Sequence, residues 1–494
     1  MVFEIISSYS ILSVSLIFFG VIFGILVSAI PGLTTTIGVV LLLPFSFYLD
    51  SSSSLGLLMG VFVGGMAGGA IPAILINIPG NPASIVTNID GYPLTKKGQG
   101  DFALGLALLS SLIGASIGLI LLLVISPQLS EFAIKFGAVE QFALMLLGLT
   151  LVSGLSEGSL LKGLISMCLG LMIATIGLDP ITASPRYTMQ TVILQQGISF
   201  IPVMIGMFAI PTILQIFIDT KQYDYPLIKK SFIESLLGIK KALFFLKNSK
   251  LNLLRSSLIG TIIGAIPGTG SAIAASISYQ FEKKVSKNKN QFGKGAPDGI
   301  ISPESANSSM TGGALIPMLT LGIPGDPVTA VMLGALMIHG IEPGPLMIST
   351  FANEYYGLLG SYGISLIFLL LTTLLGIPIF LKVIKFPIKY LMPTILILCI
   401  IGSFALRNSI LDIWIMLIFG VFAFYLKRYK FPILPIILAI ILGGILEEQF
   451  RMSLIISLGD PLIFFKKPIS LFLICILILF LIYNFFKYYK NMKN

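Results

Sequence analysis

Apolar runs close to the length of a membrane-spanning helix recur along the whole sequence. Such a helix needs about 20 mostly apolar residues. The chain is 56% hydrophobic and 11% charged, whereas soluble domains carry about 25% charged residues. We therefore predict an all-α polytopic membrane protein with about 12 transmembrane segments. The runs lie near 5–30, 35–49, 55–76, 103–127, 133–153, 160–177, 194–218, 310–338, 357–381, 388–405, 409–426, 431–446 and 468–486.

The basic residues are concentrated between the apolar runs. The formal net charge is +10, which in a soluble protein could point to nucleic acid. In a membrane protein, lysine and arginine accumulate in cytoplasmic loops. We therefore expect segments 221–255 and 283–294, the loop at 427–430 and the tail at 487–494 to be cytoplasmic.

Two motifs occur twice, in the same order. The first is ILVSAIPGLTTTIG at 25–38 and TIIGAIPGTGSAIA at 261–274, an offset of 236 residues. The second is GGAIPAILINIPGNPASIVT at 68–87 and GGALIPMLTLGIPGDPVTAV at 312–331. Its Ile-Pro-Gly triplets lie 245 residues apart, and one inserted residue aligns Gly68-Gly69-Ala70 with Gly312-Gly313-Ala314. Two matches in order predict an internal repeat.

The polar segment 221–255 separates the two copies and marks the expected boundary. We assign residues 1–220 to membrane repeat 1, hereafter the first half. Residues 221–255 form a cytoplasmic connector, and residues 256–450 form repeat 2, hereafter the second half. Residues 451–494 are expected to be a C-terminal transmembrane segment with a basic tail.

The Pro-Gly sequences are expected to break helices within the membrane. Proline cannot donate a backbone hydrogen bond, and glycine tolerates a tight reversal. Helices broken at matching positions of two halves are typical of transporter binding sites, where the freed N–H groups and helix dipoles favour an anion. We expect 256–279 to be a re-entrant hairpin that turns at residues 267–270. The competing interpretation is that these sites are ordinary kinks or close-packing points.

Small polar residues crowd the four breaks. They can bind a carboxylate or, together with backbone carbonyls, coordinate Na⁺. Individually they can also be helix caps or interhelical hydrogen bonds. The candidate coupling-ion residues are Thr320 and Asp326. The candidate substrate-binding residues are Thr34, Thr35, Asn77, Gly80, Asn81, Ser84, Thr269, Ser271, Asn307, Gly325 and Thr329.

Few other residues offer chemistry at membrane depth. For Glu304, a structural role and a functional role are both left as interpretations. Asp90 is interpreted as a turn residue. His339 is expected to end a helix with a local hydrogen bond rather than relay protons. The three cysteines are interpreted as small buried side chains, and no metal site is expected. The sequence lacks the P-loop pattern of ATPases, so we predict a protein that is not an enzyme.

Several long strings resemble the large membrane subunit of tripartite tricarboxylate transporters. The resemblance covers about residues 15–445 and is strongest at 68–100 and 292–346. GLDPITASPRYTM at 177–189 and GISFIPVMIGMFAI at 197–210 fit the same pattern. One departure is Ser-Pro-Arg at 184–186, where a glycine is expected before the arginine.

The resemblance implies a bacterial inner-membrane permease of about twelve spans. It implies two partners, a small membrane subunit of about four spans and a periplasmic solute-binding protein. It further implies uptake of citrate-like di- and tricarboxylates by symport with Na⁺ or H⁺, without another cofactor. The sequence does not decide which carboxylate or cation is carried, or whether the repeats are parallel or inverted. An anion channel and a non-transporting membrane scaffold are the alternatives.

Overall fold

The computed structural model describes residues 9–156, 159–179, 181–218, 232–383, 388–405 and 407–493. Helix accounts for 79% of the structure, which confirms the predicted all-α class. Within these ranges the only strands are β1 (Gly177–Leu178) and β2 (Pro185–Arg186), a two-residue antiparallel ladder. The predicted connector is described only from residue 232 onward, so Lys221, Lys229 and Lys230 lie outside the described residues.

The first half contains ten helices within the described ranges. They are α1 (Ile11–Ala29), α2 (Thr35–Ser46), α3 (Ser51–Gly68), α4 (Ala70–Ile76), α5 (Ser84–Lys96), α6 (Gly100–Ala133), α7 (Ala138–Leu155), α8 (Leu160–Ala174), α9 (Val192–Gln195) and α10 (Phe200–Ile218). The predicted connector contributes α11 (Phe232–Asn248) and the start of the next helix.

The rest of the chain contains eleven more helices within the described ranges. They are α12 (Lys250–Gly264), α13 (Gly270–Val285), α14 (Asp298–Leu321), α15 (Pro327–Ile338), α16 (Met347–Thr350), α17 (Ala352–Val383), α18 (Ile388–Ala405), α19 (Ile410–Arg428), α20 (Leu434–Ile456), α21 (Ile463–Lys466) and α22 (Pro468–Lys493). A short 3₁₀ helix (Lys289–Gln291) lies between α13 and α14.

Seven helices in the described part of the chain are long and apolar enough to cross a membrane. The predicted apolar run at 310–338 is not one helix, because the chain leaves helical form between α14 and α15. The predicted break within 256–279 is present at 265–269, between α12 and α13, which have 15 and 16 residues.

The chain forms two compact units, each built from segments of both halves. The first comprises residues 1–129 and 212–406, and the second comprises 130–211 and 407–494. The expected boundaries of the repeats stay a prediction, because the spatial units follow a different division.

Close helix pairs of small residues organise the first unit. A Cβ atom at Gly24 of α1 would lie 2.3 Å from the Val61 carbonyl oxygen of α3. A Cβ atom at Gly260 of α12 would lie 2.2 Å from the Ala306 carbonyl oxygen of α14. Membrane helices approach closely where small residues remove the side chains between the backbones. The sequence therefore places α1 against α3 and α12 against α14.

The second unit contains α7, α8, α20 and α22. Gly163 of α8 packs against the backbone of α7 at Ser153, and Gly170 of α8 packs against α20 at Ile436. Cys168 and Cys475 are exposed while Cys399 of the first unit is buried, so the buried interpretation is right for one cysteine only.

An ion-pair network closes the loop that contains β1 and β2. Asp179 accepts from Arg186 at 2.7 Å and from Arg451 at 2.8 Å, and Arg186 also contacts Glu447 at 3.0 Å. In the Ser-Pro-Arg segment that departs from the expected glycine before the arginine, the Ser184 carbonyl oxygen accepts from the Asp179 N–H at 2.9 Å.

Candidate functional site

The first and second Pro-Gly breaks meet in space. The first break (30–34) separates α1 from α2, and the second (77–83) separates α4 from α5. The Gly80 N–H donates to the Gly69 carbonyl at 3.2 Å. A Cβ atom at Gly80 would lie only 2.1 Å from the carbonyl oxygen of Ser28, just before the first break. Only glycine fits this close approach of two backbones.

The third and fourth breaks meet in the same way. The third (265–269) separates α12 from α13, and the fourth (322–326) separates α14 from α15. The Gly268 N–H donates to the Gly325 carbonyl at 2.9 Å. A Cβ atom at Gly325 would lie 2.6 Å from the Gly264 carbonyl oxygen. Each half thus brings its two breaks together at one glycine.

These contacts correspond at constant offsets. The contact between Gly80 and Ser28 matches the contact between Gly325 and Gly264. The two glycines at the Pro-Gly sequences are 245 residues apart, and Ser28 and Gly264 are 236 residues apart. Likewise, Gly68 packs on the Ile25 carbonyl and Gly313 packs on the Thr261 carbonyl. The contacts therefore pair Gly68 with Gly313, not with Gly312 as the inserted-residue alignment predicts. The physical reason is steric. Gly68 and Gly313 are the positions at which α3 touches the backbone of α1 and α14 touches the backbone of α12, so these two glycines correspond.

Matching side-chain hydrogen bonds occur in the turn just before α5 and at the start of α15. Asn81 Oδ1 accepts from the Ser84 N–H at 2.9 Å and from its hydroxyl at 2.7 Å. Asp326 Oδ1 accepts from the Thr329 N–H at 2.8 Å and from its hydroxyl at 2.7 Å. In both places the acceptor lies three residues before the donor, but it is a neutral amide before α5 and a carboxyl group at the start of α15.

The residues before these breaks also match. The chain turns at Asn77 with φ of 63° and at Gly322 with φ of 70°. The N–H of Ile78 then donates to the Pro72 carbonyl at 3.3 Å. In the same way, the N–H of Ile323 donates to the Pro317 carbonyl at 3.2 Å. These left-handed turns end the preceding helix and let the chain reverse.

One backbone carbonyl joins the two halves. The Met66 oxygen accepts from the side-chain amide of Asn307 at 2.9 Å and of Asn81 at 3.4 Å. Asn81 lies in the second break, whereas Asn307 lies in the middle of α14. The structure thus brings together two of the predicted substrate-binding residues from different halves.

The other predicted site residues have local roles. Thr35 lies 3.2 Å from the Ser28 hydroxyl, whereas Thr34 precedes α2 without a side-chain cap. Thr269 donates to the Ile263 carbonyl at 2.6 Å, and Thr320 donates to the Ile316 carbonyl at 2.7 Å. Ser271 lies in the first turn of α13 and is partly exposed. None of these contacts links the two halves.

Two buried carboxylates make contacts that the sequence did not reveal. Glu304 of α14 accepts from Thr87 of α5 at 2.5 Å and from Ser111 of α6 at 3.0 Å. Asp90 lies inside α5, so its interpretation as a turn residue is wrong. Because Gly91 and Pro93 follow Asp90, the sequence favoured a turn there, but α5 continues through both residues.

His339 behaves as the sequence predicted. It immediately follows α15, and its Nδ1 lies 2.9 Å from the Ala335 carbonyl of the last turn. The helix-end interpretation is therefore confirmed. The described residues contain no group of three or more His, Cys, Asp or Glu side chains that could hold a metal ion.

Comparison with known families decides the assignment. The model of the tripartite tricarboxylate transporter TctA family matches residues 14–438. The chain belongs to this family. As a TctA-family transporter component with seven helices of spanning length among its described residues, it is a multi-pass membrane protein.

Two relatives of this TctA-family chain come from Agrobacterium vitis. An uncharacterized 52.8 kDa protein in the TAR-I ttuC′ 3′ region is 34% identical over 465 residues, which cover 93% of this chain and 90% of the relative. An uncharacterized protein in the TAR-II ttuC′ 3′ region is 36% identical over 224 residues, 44% of this chain and 93% of the relative. No solved structure matches the chain.

Proposed function

We propose that the chain is the large membrane subunit of a binding-protein-dependent secondary transporter. It imports citrate-like di- and tricarboxylates and is driven by a gradient of Na⁺ or H⁺. The observation that carries this proposal is that the two breaks of each half meet at Gly80 and at Gly325. In a TctA-family chain, two such junctions are suited to hold a substrate and its coupling ion.

The substrate carboxylates are placed at the second break. Asn77, Gly80, Asn81 and Ser84 precede or open α5, whose first N–H groups and helix dipole favour an anion. The side chain of Asn81 is a neutral amide and adds no charge that would repel a carboxylate. Asn307 lies beside this break, because its side-chain amide donates to the same Met66 carbonyl that Asn81 contacts. Thr34, Thr35, Thr269, Ser271, Gly325 and Thr329 line the remaining breaks in this proposal.

We place the coupling cation in the second half, at side chains of α14 or at the start of α15. The candidates named from the sequence are Thr320, in the last turn of α14, and Asp326, which caps α15. A carboxylate and nearby carbonyl oxygens suit Na⁺ or H⁺. Substrate and cation would thus occupy neighbouring positions from different halves. Movement of the core that carries the breaks would expose both to one side and then to the other.

The proposed membrane topology has about 12 segments in two repeats. Five shorter apolar helices accompany the seven long ones among the described residues. The matching contacts at offsets of 236 and 245 support the repeat. We place the α12–α13 pair in the membrane as a re-entrant hairpin, because both of its flanks carry lysines and would lie on the cytoplasmic side.

The proposed assembly is that of a tripartite system. A small membrane subunit of about four spans would accompany the chain, and a periplasmic solute-binding protein would deliver the substrate. The location would be the inner membrane of a bacterium.

The test is uptake into proteoliposomes that contain the chain with its small membrane partner. Labelled citrate, malate and succinate are offered with and without the binding protein, under imposed Na⁺ or pH gradients. We expect accumulation that requires the binding protein and one of the two gradients. Downhill flux that needs neither would support an anion channel instead, and no flux of any carboxylate would support a scaffold.

A further inference from the structure

Glu304 is a fully buried acid without a cationic partner. Its side chain is 0% exposed in the middle of α14. Its two oxygens accept from the Thr87 and Ser111 hydroxyls. In the part of the chain that the structure describes, no Lys, Arg or His forms an ion pair with it. An isolated ionised carboxylate at membrane depth is costly. Glu304 therefore requires either a bound proton or a bound metal cation.

Several residues adjacent in sequence to Glu304 and to its partner Ser111 have buried side-chain oxygens without hydrogen-bond partners. Ser305, Asn307 and Ser308 follow Glu304 within little more than one turn of α14, and each has a buried side-chain oxygen that lacks a hydrogen-bond partner. Ser110, beside Ser111 on α6, has another. Such buried atoms are rare in native proteins and call for an explanation such as a bound ion. Hydroxyl and amide oxygens are suitable ligands for Na⁺, and hydroxyls can equally accept from a protonated acid.

The charged groups on the neighbouring helices do not neutralise Glu304. Asp90 of α5 is bound by Tyr279 and by backbone N–H groups, Glu282 of α13 pairs with Arg255 of α12 at 3.0 Å, and Asp298 accepts from Asn252 at 3.0 Å. Tyr362 of α17 donates to Ala115 at 3.1 Å. Helices α3, α15 and α16 carry no charged residue. The remaining charged or phenolic groups with described side chains on the packed helices lie nearer to their ends: Tyr92, Lys96, Asp101, Glu131, Lys250, Lys283, Lys284, Glu354, Tyr355 and Tyr356.

Asn307 connects this cluster to the proposed carboxylate site. Its amide nitrogen donates to the Met66 carbonyl, which Asn81 also contacts. Its amide oxygen is one of the buried atoms without a partner. A cation held by Glu304 and this oxygen would fix the Asn307 amide, and with it the end of α3 against which the second break packs. Binding of the cation and of the substrate would then favour each other.

We propose that Glu304, with Thr87, Ser111, Asn307 and Ser308, binds the monovalent coupling cation, Na⁺ or H⁺. The proposal rests on the proposed transport function and specifies where that function is coupled to the ion gradient. Glu304 fits this role better than Asp326, because Asp326 already caps α15 through Thr329. The hydroxyl partners of Glu304 can rotate when the cation leaves, whereas the cap of α15 must stay in place for the helix to start.

The first test needs no substrate. Binding of ²²Na⁺ to the purified chain is measured in choline chloride, and the infrared band of the protonated carboxyl group is followed from about pH 5 to about pH 9, above the range in which exposed glutamates titrate. We expect the wild type to bind one Na⁺, or to gain one carboxyl proton in this range, and Glu304→Gln to do neither. Glu140→Gln is the control, because it removes a buried carboxyl group that caps α7. It should leave the cation signal intact.

The second test separates coupling from substrate binding. In proteoliposomes, Glu304→Gln should exchange labelled citrate, malate or succinate across the membrane at a rate that no longer depends on the cation concentration. It should lose accumulation, which a tenfold cation gradient can drive up to about tenfold for each cation carried. Thr87→Val and Ser111→Ala should raise the cation concentration that gives half-maximal accumulation. A Na⁺ dependence at fixed pH would identify Na⁺, and a pH dependence without Na⁺ would identify H⁺.

The two tests distinguish this proposal from the proposed function. If the wild type transports none of the carboxylates, the transport proposal fails, while the binding measurement still decides the role of Glu304. If the wild type accumulates substrate and Glu304→Gln does so with an unchanged cation dependence, transport stands and the Glu304 proposal is overturned. If Glu304→Gln has lost exchange altogether, the ²²Na⁺ and infrared measurements decide, and a cation signal equal to that of the wild type in this variant would overturn the proposal.

Discussion

The carboxylate of Asp90 accepts a 2.8 Å hydrogen bond from the hydroxyl of Tyr279, which lies 189 residues further along the chain. Its other oxygen accepts from the N–H groups of Gly293, Gly295 and Ala296, each at 2.8 Å. One buried side chain of the first half therefore holds both α13 and the loop before α14 in the second half. This contact fixes how α5 lies beside the helices that carry the third and fourth breaks.

Replacement of Asp90 by alanine should destabilise the protein more than any single change at its partners. The three N–H groups would lose their acceptor, at a cost of about 2–3 kcal/mol. Tyr279→Phe removes one hydrogen bond and should cost about 1–2 kcal/mol. Thermal unfolding in detergent measures both. Tyr92→Phe on the same helix is the control, and an Asp90→Ala protein as stable as this control would contradict the prediction.

Alanine at either junction glycine should abolish uptake. A single methyl group at Gly80 or Gly325 would meet backbone oxygens at 2.1 or 2.6 Å. The two breaks of that half would have to separate by about 1 Å to reach ordinary contact. Gly363→Ala on α17 is the matched control, since the nearest atom would lie 3.9 Å away. Carboxylate uptake is measured together with the amount of protein in the membrane. Normal uptake in both junction variants would exclude these glycines from the transport site.

A negative charge at the cap of α5 should weaken the binding of carboxylates. Asn81→Asp keeps an oxygen for both hydrogen bonds from Ser84, so α5 should still start at the same place. Two like charges about 4 Å apart repel by about 4 kcal/mol at an effective dielectric constant near 20. We expect the KM for citrate to rise at least about tenfold.

The control for this substitution is Asp326→Asn, which changes the charge of the matching cap in the other direction. It should leave the KM for citrate near the wild-type value at saturating cation. A larger rise of KM in Asp326→Asn than in Asn81→Asp would place the carboxylate at the fourth break instead of the second.

The loop that contains β1 and β2 should lose stability in acid. Hydrogen bonds from the backbone N–H groups of Thr182 and Ile181, with the nearby Arg451 and Arg186, hold the pKa of Asp179 well below its ordinary value. A carboxyl group with a lowered native pKa stabilises the fold above its unfolded pKa, which is about 4, and loses that contribution as the pH falls. The Tm difference between the wild type and Asp179→Asn should therefore be constant above about pH 5 and shrink below about pH 4.

The control for the acid effect is Asp460→Asn, an exposed partner of Lys466 in a different loop. Screened surface pairs contribute little, so its Tm should stay close to that of the wild type at neutral pH. A Tm difference for Asp179→Asn that grows in acid would show that the sign of the pKa shift is wrong.

The four breaks could be predicted from the sequence because they depend on local chemistry. Proline and glycine prevent helix continuation whatever their surroundings, and the apolar runs are long enough to fix the all-α membrane class. The order of the two motifs also revealed which residues of the halves correspond. Within the second motif, the sequence alignment paired Gly68 with Gly312, whereas the helix contacts pair it with Gly313. The contacts between helix backbones, rather than identical residues, determine this correspondence.

The roles of individual polar residues could not be predicted in the same way. Asn81 and Asp326 hold corresponding positions of the second motif but were assigned to the substrate and to the cation, and both turn out to accept the same pair of hydrogen bonds from the residue three positions later. Thr320 looks like an ion ligand but bonds to its own helix. Glu304 was left open, since neither Thr87 nor Ser111 is near it in the sequence.

The sequence by itself determined that this chain is a helical membrane protein with paired interruptions, because hydrophobic length and backbone restriction are local properties. Only the tertiary structure decided that the interruptions meet in pairs, that Asn81 and Asn307 share the Met66 carbonyl, and that Glu304 is buried without a counter-charge. These features arise from contacts between residues that are far apart in the sequence. Thr87 and Glu304, for example, are separated by 217 residues. Such contacts depend on how small residues let helices approach, and no short stretch of sequence contains that information.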